Sequence, residues 1–170
     1  AEDRIYEGGQ IPGIAGSDEG VTPGNIWGGL AMIWYPGTLL TTDKITFTSG
    51  EFNVWPACYK IIRKCNIILS RLDEVPMKTF TKIEFRAQVR FLRAYAYFWL
   101  MRNYGPVLLL GDNILEVNGD KDTYRLYRST YDETADYICS EFEAAAKDLP
   151  AKNSSDETYA PTKGAALAFV

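Results

Sequence analysis

The chain of 170 residues contains no histidine. That absence removes Ser-His-Asp and Cys-His nucleophile arrangements, imidazole zinc sites and histidine general bases together. Cysteine is sparse: Cys58, Cys65 and Cys139 form no CxxC pair and have no metal-ligand spacing. An odd count cannot close completely into intrachain disulfides. A helix would set Cys58 and Cys65 on one face, but roughly 10 Å apart along its axis, too far to bridge. They are expected to be buried free thiols, packed as small hydrophobes. Long apolar runs are missing too. The longest, such as Val107 to Leu110, fall far short of the roughly 20 residues a membrane span needs, and the opening Ala-Glu-Asp-Arg has no secretory apolar region. Nor is there an excess of positive charge. The net charge of −4 provides no attractive field for nucleic acid or anionic lipid.

What remains is the composition of a folded protein. Apolar residues make up 46% and charged residues 24%, which argues against a disordered chain. Aromatics reach 14%, enough to build a core and leave some Trp and Tyr outside it. Ten of the fourteen glycines lie in the first fifty residues, beside Pro12, Pro23 and Pro36. That density opposes long helices, so residues 1–52 read as a glycine-rich, loop-built lobe. Ile26-Trp27 and Leu30 to Tyr35 within it suggest a segment folded against something.

From residue 53 the texture turns helical, and residues 53–170 read as a scaffold of helix pairs. In the first helix, Asn53–Leu72, Trp55, Tyr59, Ile62, Asn66 and Leu69 recur at steps of four and three, beside a second row of Cys58, Ile61, Cys65, Ile68 and Leu72. Two adjacent stripes predict packing on more than one neighbour. Pro56 fits the first turn and Pro76 closes the segment. A second helix is predicted over Thr81–Tyr104, with Thr81 and Glu84 as a capping box and Gly105-Pro106 as the stop. Its expected buried side is Ile83, Phe85, Val89, Leu92, Ala96, Trp99 and Leu100. Arg86, Arg90 and Arg93 are expected along a solvated or salt-bridged edge. Val107 to Leu110 is a short extended piece, and Asn118 to Asp120 a turn. A third helix runs from Ser129 or Thr130 to Leu149, with Tyr131, Ala135, Ile138 and Phe142 on its apolar face. A fourth opens at Thr162. The predicted packing sets the first helix antiparallel to the second, and the third to the fourth, with Ile62 and Leu92 nearly fully buried. The fourth helix reaches Val170 with no stop signal, which suggests a piece of a longer protein.

No string carries catalytic chemistry. Lys163-Gly164 is in the wrong order for a Walker loop, and no GxGxxG follows a strand. Asp112, Asp120 and Asp122 do not have calcium-loop spacing. Glu141 and Glu143 fall on different helix faces, a poor acid/base pair. Asn153-Ser154-Ser155 fits a glycosylation sequon, which matters only in a eukaryotic secretory setting. No metal, cofactor or catalytic residue is expected. The aromatics of the lobe are a different matter: Trp27, Trp34, Tyr35 and Phe47 sit among turns, where they either plug the lobe or present flat faces to sugar rings.

Several strings, in order, have a family likeness. Arg90 to Phe98, then Leu100 and Tyr104 to Leu108, resembles the Arg-Leu-Arg-Ala helix of SusD/RagB-family outer-membrane nutrient-binding proteins. Trp55, Tyr59, Ile62, Cys65-Asn66 and Ile68-Leu69 are similar to that family's preceding helix. Arg128-Ser129, Tyr137-Ile138, Phe142, Ala145 and Leu149-Pro150 resemble the following one, and Ala160 to Ala166 the start of the next. The likeness covers about residues 40 to 170. Gln88 departs from the glutamate usual before the Arg-Phe-Leu-Arg string. The lipid-bearing N-terminal cysteine and roughly the C-terminal two-thirds of such proteins are not in this sequence.

The resemblance implies a mainly α fold: tetratricopeptide-like antiparallel helix pairs with a loop-rich N-terminal lobe. It implies a location on the extracellular face of the outer membrane, held there only through a lipid anchor. It also implies non-catalytic capture of a nutrient glycan or peptide for a TonB-dependent transporter partner. The ligand is expected on loops before the Asn53 helix, with Trp34, Tyr35 and Phe47 as stacking surfaces and Asp43 as a hydroxyl acceptor. The alternative is an intracellular helical-repeat adaptor that binds a peptide in a groove.

Overall fold

A computed structural model of the chain describes residues 54–115, 122, 125–154 and 159–170. Among them the regular structure is helical: α1 (Val54–Arg71), a 3-10 turn (Leu72–Glu74), α2 (Thr79–Tyr104), α3 (Tyr131–Asp148) and α4 (Lys163–Leu167). The predicted lobe over 1–52 and the turn at Asn118 to Asp120 lie outside the described residues.

The helix ends follow local chemistry. Gly105, at φ 69°, closes α2 and donates its N–H to the Met101 carbonyl at 2.9 Å. That left-handed backbone suits glycine because a Cβ would be strained there. Of the two candidate caps for α3, Thr130 serves. Its hydroxyl accepts the Glu133 N–H at 3.2 Å, and the Glu133 carboxylate accepts the Thr130 N–H at 2.8 Å. Those two bonds hold the fully exposed Glu133 carboxyl below its usual range. Thr162 caps α4 through the Ala165 N–H, and the helix ends at Leu167, short of the Val170 expected.

The helices run antiparallel, and side chains show it. The start of α1 meets the end of α2, where the Trp55 N–H donates to the Tyr104 hydroxyl at 3.3 Å. The 3-10 turn that follows its far end meets the first half of α2 through Asp73 and Arg86 at 2.6 Å. Between α2 and α3, Phe91 packs on Phe142 while Tyr97, further along α2, packs on Tyr137, earlier in α3. Thus α2 is the shared middle helix, packed on α1 and α3, and α4 leans on α3. The core is Ile62 from α1, Ala94, Tyr97 and Leu100 from α2, and Phe142 and Ala145 from α3, all essentially without solvent contact. A second cluster is aromatic, with Phe169 lying flat on Phe142 at 4.8 Å and edge-on to Phe98 at 5.1 Å.

All three cysteines are free thiols, and Cys58 and Cys65 are buried as expected, whereas Cys139 is only half-buried. Burial pushes the Cys58 thiol up to about 11 and raises Cys65 as well. Both therefore stay protonated and inert near neutral pH.

The structure corrects several expectations for α2. Its first residue is Thr79, not Thr81, and its N-cap Lys78 makes no side-chain capping bond. The start is tied instead from the previous turn: the Lys82 ammonium donates to the Asp73 carbonyl at 2.7 Å and Arg86 pairs with the Asp73 carboxylate. Leu92 is 49% exposed, and Ile83 and Phe85 are exposed too. These three lie on flanks of α2 that its helical neighbours leave open. Tyr131, placed on the apolar face of α3, is 58% exposed because it sits at the first turn, beyond the α2 contact. The largest correction is Arg93. It is 1% exposed and sits in the core, not on an edge.

Two substitutions separate the buried from the exposed positions. Ile62→Ala should cost about 2–5 kcal/mol of unfolding free energy through a core cavity. Leu92→Ala should cost no more than about 1 kcal/mol, as at most surface sites. Denaturant unfolding of the two variants checks both; equal losses would contradict the packing.

Candidate functional site

Segment 107–115 joins α2 to the following loop without forming a strand. Its backbone polar groups still need partners, because several are buried. Side chains from two helices provide them. On α1, Tyr59, Arg63 and Asn66 follow at steps of four and three, one stripe facing the segment. The Tyr59 hydroxyl donates to the Leu108 carbonyl and accepts the Leu108 N–H, each at 3.0 Å. The Arg63 guanidinium donates to the Leu115 carbonyl. The Asn66 amide donates to the Gly111 and Asn113 carbonyls at 2.9 Å each. On α2, Tyr97 accepts the Leu110 N–H at 3.0 Å. The segment is held as a strand would be, with side chains in place of a neighbouring strand.

Arg93 joins these parts. Its Nε and Nη2 donate to one Glu141 oxygen of α3 at 3.0 and 2.6 Å. Its Nη1 donates to the Asn66 side-chain oxygen at 2.8 Å, to the Asp112 carboxylate at 2.6 Å and to the Gly111 carbonyl at 3.3 Å. Burial opposes the charge most strongly, but bonding to Asp112 and the field of Glu141 outweigh it and raise the Arg93 pKa above its already high value. Arg93 is therefore always charged, and Glu141, itself buried, is its inner counter-ion. Burial likewise pushes Tyr59 up to about 12 and raises Tyr97. Arg93, Tyr59 and Tyr97 are therefore not tuned to exchange a proton near pH 7.

The stripe also lines a groove. A concavity of about 290 Å³ lies over α1, with Trp55, Tyr59 and Arg63 on one side. Leu108, Leu110, Asn113 and Leu115 form the other side, and Leu126 also lines it. Trp55 stands edge-on to Tyr104 at 5.2 Å, and the Arg128 guanidinium covers its ring at 5.2 Å. Aliphatic and aromatic walls with a guanidinium and an amide suit binding an amphipathic ligand. Among the described residues no three acidic or sulfur side chains could hold a metal, and no helix is long and apolar enough to cross a membrane.

Trp34, Tyr35, Asp43 and Phe47, the sequence-predicted ligand residues, lie outside the described residues. The groove residues were missed because Trp55 and Tyr59 fell on a stripe read as apolar core. The available signal for the side chains that tie segment 107–115 was Asn66, an amide at a core-facing position that must find partners.

Against this geometry, comparisons with known proteins agree with one another. A SusD-like family model, described as starch-binding and associating with the outer membrane, matches residues 29–170. The SusD-like protein P38 of Formosa agariphila is 30% identical over 131 residues, covering 77% of this chain and 24% of that protein. The crystal structure of a SusD-like protein from Bacteroides fragilis is 27% identical, with a TM-score of 0.72 over 98% of this chain and 32% of its own. A laminarin-binding SusD-like protein is 26% identical, with a TM-score of 0.62 over 68% of this chain and 24% of its own. The chain thus spans about a quarter of the curated relative it matches.

The Arg93 cluster predicts an asymmetry. Glu141→Leu strands a buried charge and should cost about 3–5 kcal/mol, whereas the double variant with Arg93→Met should recover part of that loss. Asp112→Asn, at an 82% exposed side chain, should cost no more than about 1 kcal/mol. A double-mutant cycle by chemical denaturation measures all three. A double variant less stable than Glu141→Leu alone would contradict the pairing.

Proposed function

The chain belongs to the SusD-like family, and on that premise we propose that it is part of a cell-surface protein that captures an oligosaccharide without catalysis. The observation that carries this reading is the family match over residues 29–170, joined by similarity to a protein that binds laminarin. In the same reading the protein sits on the extracellular face of the outer membrane through a lipid anchor. It delivers its ligand to a TonB-dependent transporter. Family membership also weighs against an intracellular adaptor, because the family description names the outer membrane.

The chemistry of the described residues is compatible with binding. The carboxylates of the Arg93 cluster are its hydrogen-bonding partners, and among the described residues no carboxylate lines the groove. Trp34, Tyr35 and Phe47 remain the proposed stacking surfaces, with Asp43 accepting a sugar hydroxyl. Flat aromatic faces select ring shape, and a carboxylate fixes orientation through hydroxyl donors.

A glycan screen on the full-length protein, followed by calorimetry, tests the reading. Affinity is expected between micromolar and millimolar, about 4–8 kcal/mol. Trp34→Ala, Tyr35→Ala and Phe47→Ala should each weaken binding about tenfold at an unchanged melting temperature, roughly the 1.4 kcal/mol of a lost ring contact. Unchanged affinity in all three places the site elsewhere. Co-purification with a TonB-dependent transporter from detergent extracts tests the partner, and elution alone would contradict it.

A further inference from the structure

Arg63 carries a charge that its described surroundings do not balance. One N–H donates to the Leu115 carbonyl, and among the described residues it makes no ion pair. A guanidinium offers five donors in a planar fork, so four remain. The residue is half-buried at the side of the groove, and among the described residues none that lines the groove is acidic. Another wall residue, Trp55, carries a second cation, Arg128, which likewise has no ion pair among the described residues. Two guanidiniums with no counter-ion among the described residues thus lie at a concavity whose walls are mostly apolar.

We infer that this groove is a subsite for the carboxylate-bearing ring of an acidic oligosaccharide, a uronic acid residue, held by Arg63. The inference rests on the glycan-binding reading and adds the class of sugar. A carboxylate matches the planar donor fork in two parallel bonds, a geometry a lysine could not offer. The groove, at about 290 Å³, is at the small end of ligand pockets, suited to a single ring against Tyr59 and the leucine walls. The Asn113 amide provides a donor and an acceptor for ring hydroxyls. An extended acidic peptide fits less well, since it would need free backbone partners in the wall. Tyr59 takes both backbone groups of Leu108, Asn66 takes the carbonyls of Gly111 and Asn113, and Arg63 takes that of Leu115.

Calorimetry on the full-length protein tests this with three probes: a uronate oligosaccharide, its neutral counterpart of the same linkage, and an acidic peptide. The uronate should bind at least tenfold more tightly than the neutral sugar, and that advantage should shrink with added salt. Arg63→Gln should remove the advantage, bringing the ratio of uronate to neutral-sugar affinity to about one. Arg63→Lys should retain part of it, and Arg86→Gln, at a remote surface pair, should change nothing. If Arg63→Gln fails to fold, the salt-dependent preference of the wild type still decides. Equal binding of uronate and neutral sugar overturns the subsite while leaving glycan capture intact. Binding of the peptide alone, or of no saccharide, overturns both. Glu116, the next acidic residue along the chain, lies outside the described residues. A tenfold gain in uronate affinity on Glu116→Gln would mean that the chain neutralises Arg63 itself, and would also overturn the assignment.

Discussion

A guanidinium sealed in a protein core must be surrounded by acceptors, and that requirement organises the described part of this molecule. Arg93 reaches Glu141 on α3, Asn66 on α1 and Asp112 and Gly111 on the connecting segment. Four pieces of chain far apart in sequence are thereby brought to one point. An uncompensated buried charge costs several kcal/mol, so the inner counter-ion Glu141 cannot withdraw cheaply, whereas the exposed Asp112 can. The cluster sets the relative placement of three helices more narrowly than apolar packing would, because hydrogen bonds are directional and hydrophobic contacts are not.

The same logic extends along the segment 107–115. An irregular backbone beside a helical core would ordinarily leave buried amides and carbonyls without partners. Tyr59, Asn66 and Tyr97 meet them, each bond contributing about 1 kcal/mol net and avoiding a larger desolvation cost. In a fold with no strand among the described residues, these side chains do what a neighbouring strand does in a sheet. Their use of the wall's backbone also shapes its chemistry. The groove presents rings, leucines, an amide and a guanidinium, and few free main-chain groups. That composition suits a compact amphipathic ring better than an extended chain.

Two proton-exchanging roles are closed off by burial. The Cys58 thiol is pushed up to about 11 and Tyr59 to about 12, so each remains neutral across the physiological range. Cys58 lies in the hydrophobic core and Tyr59 packs against it. Their environment makes them packing and hydrogen-bonding groups.

The helices, their order and most of their ends were legible in the sequence. Each rests on local signals: the four-and-three spacing from Trp55 to Leu69, Gly105-Pro106 as a stop, Thr130 with Glu133 as a capping box. Such signals act within a few residues and need no tertiary context. The run of strings around Arg90 to Phe98 also carried the family likeness. Which side of α2 would be buried was not legible, because a long helix with apolar residues on several sides can be covered on any of them. Packing on α1 and α3 chose, leaving Leu92 exposed and drawing Arg93 inward. Spacing alone gave Arg86, Arg90 and Arg93 the same status. Only the third dimension separates Arg86, on an exposed pair with Asp73, from Arg93. Its counter-ion Glu141 lies 48 residues away, and no pattern within one helix encodes a charge balance between distant parts of the chain.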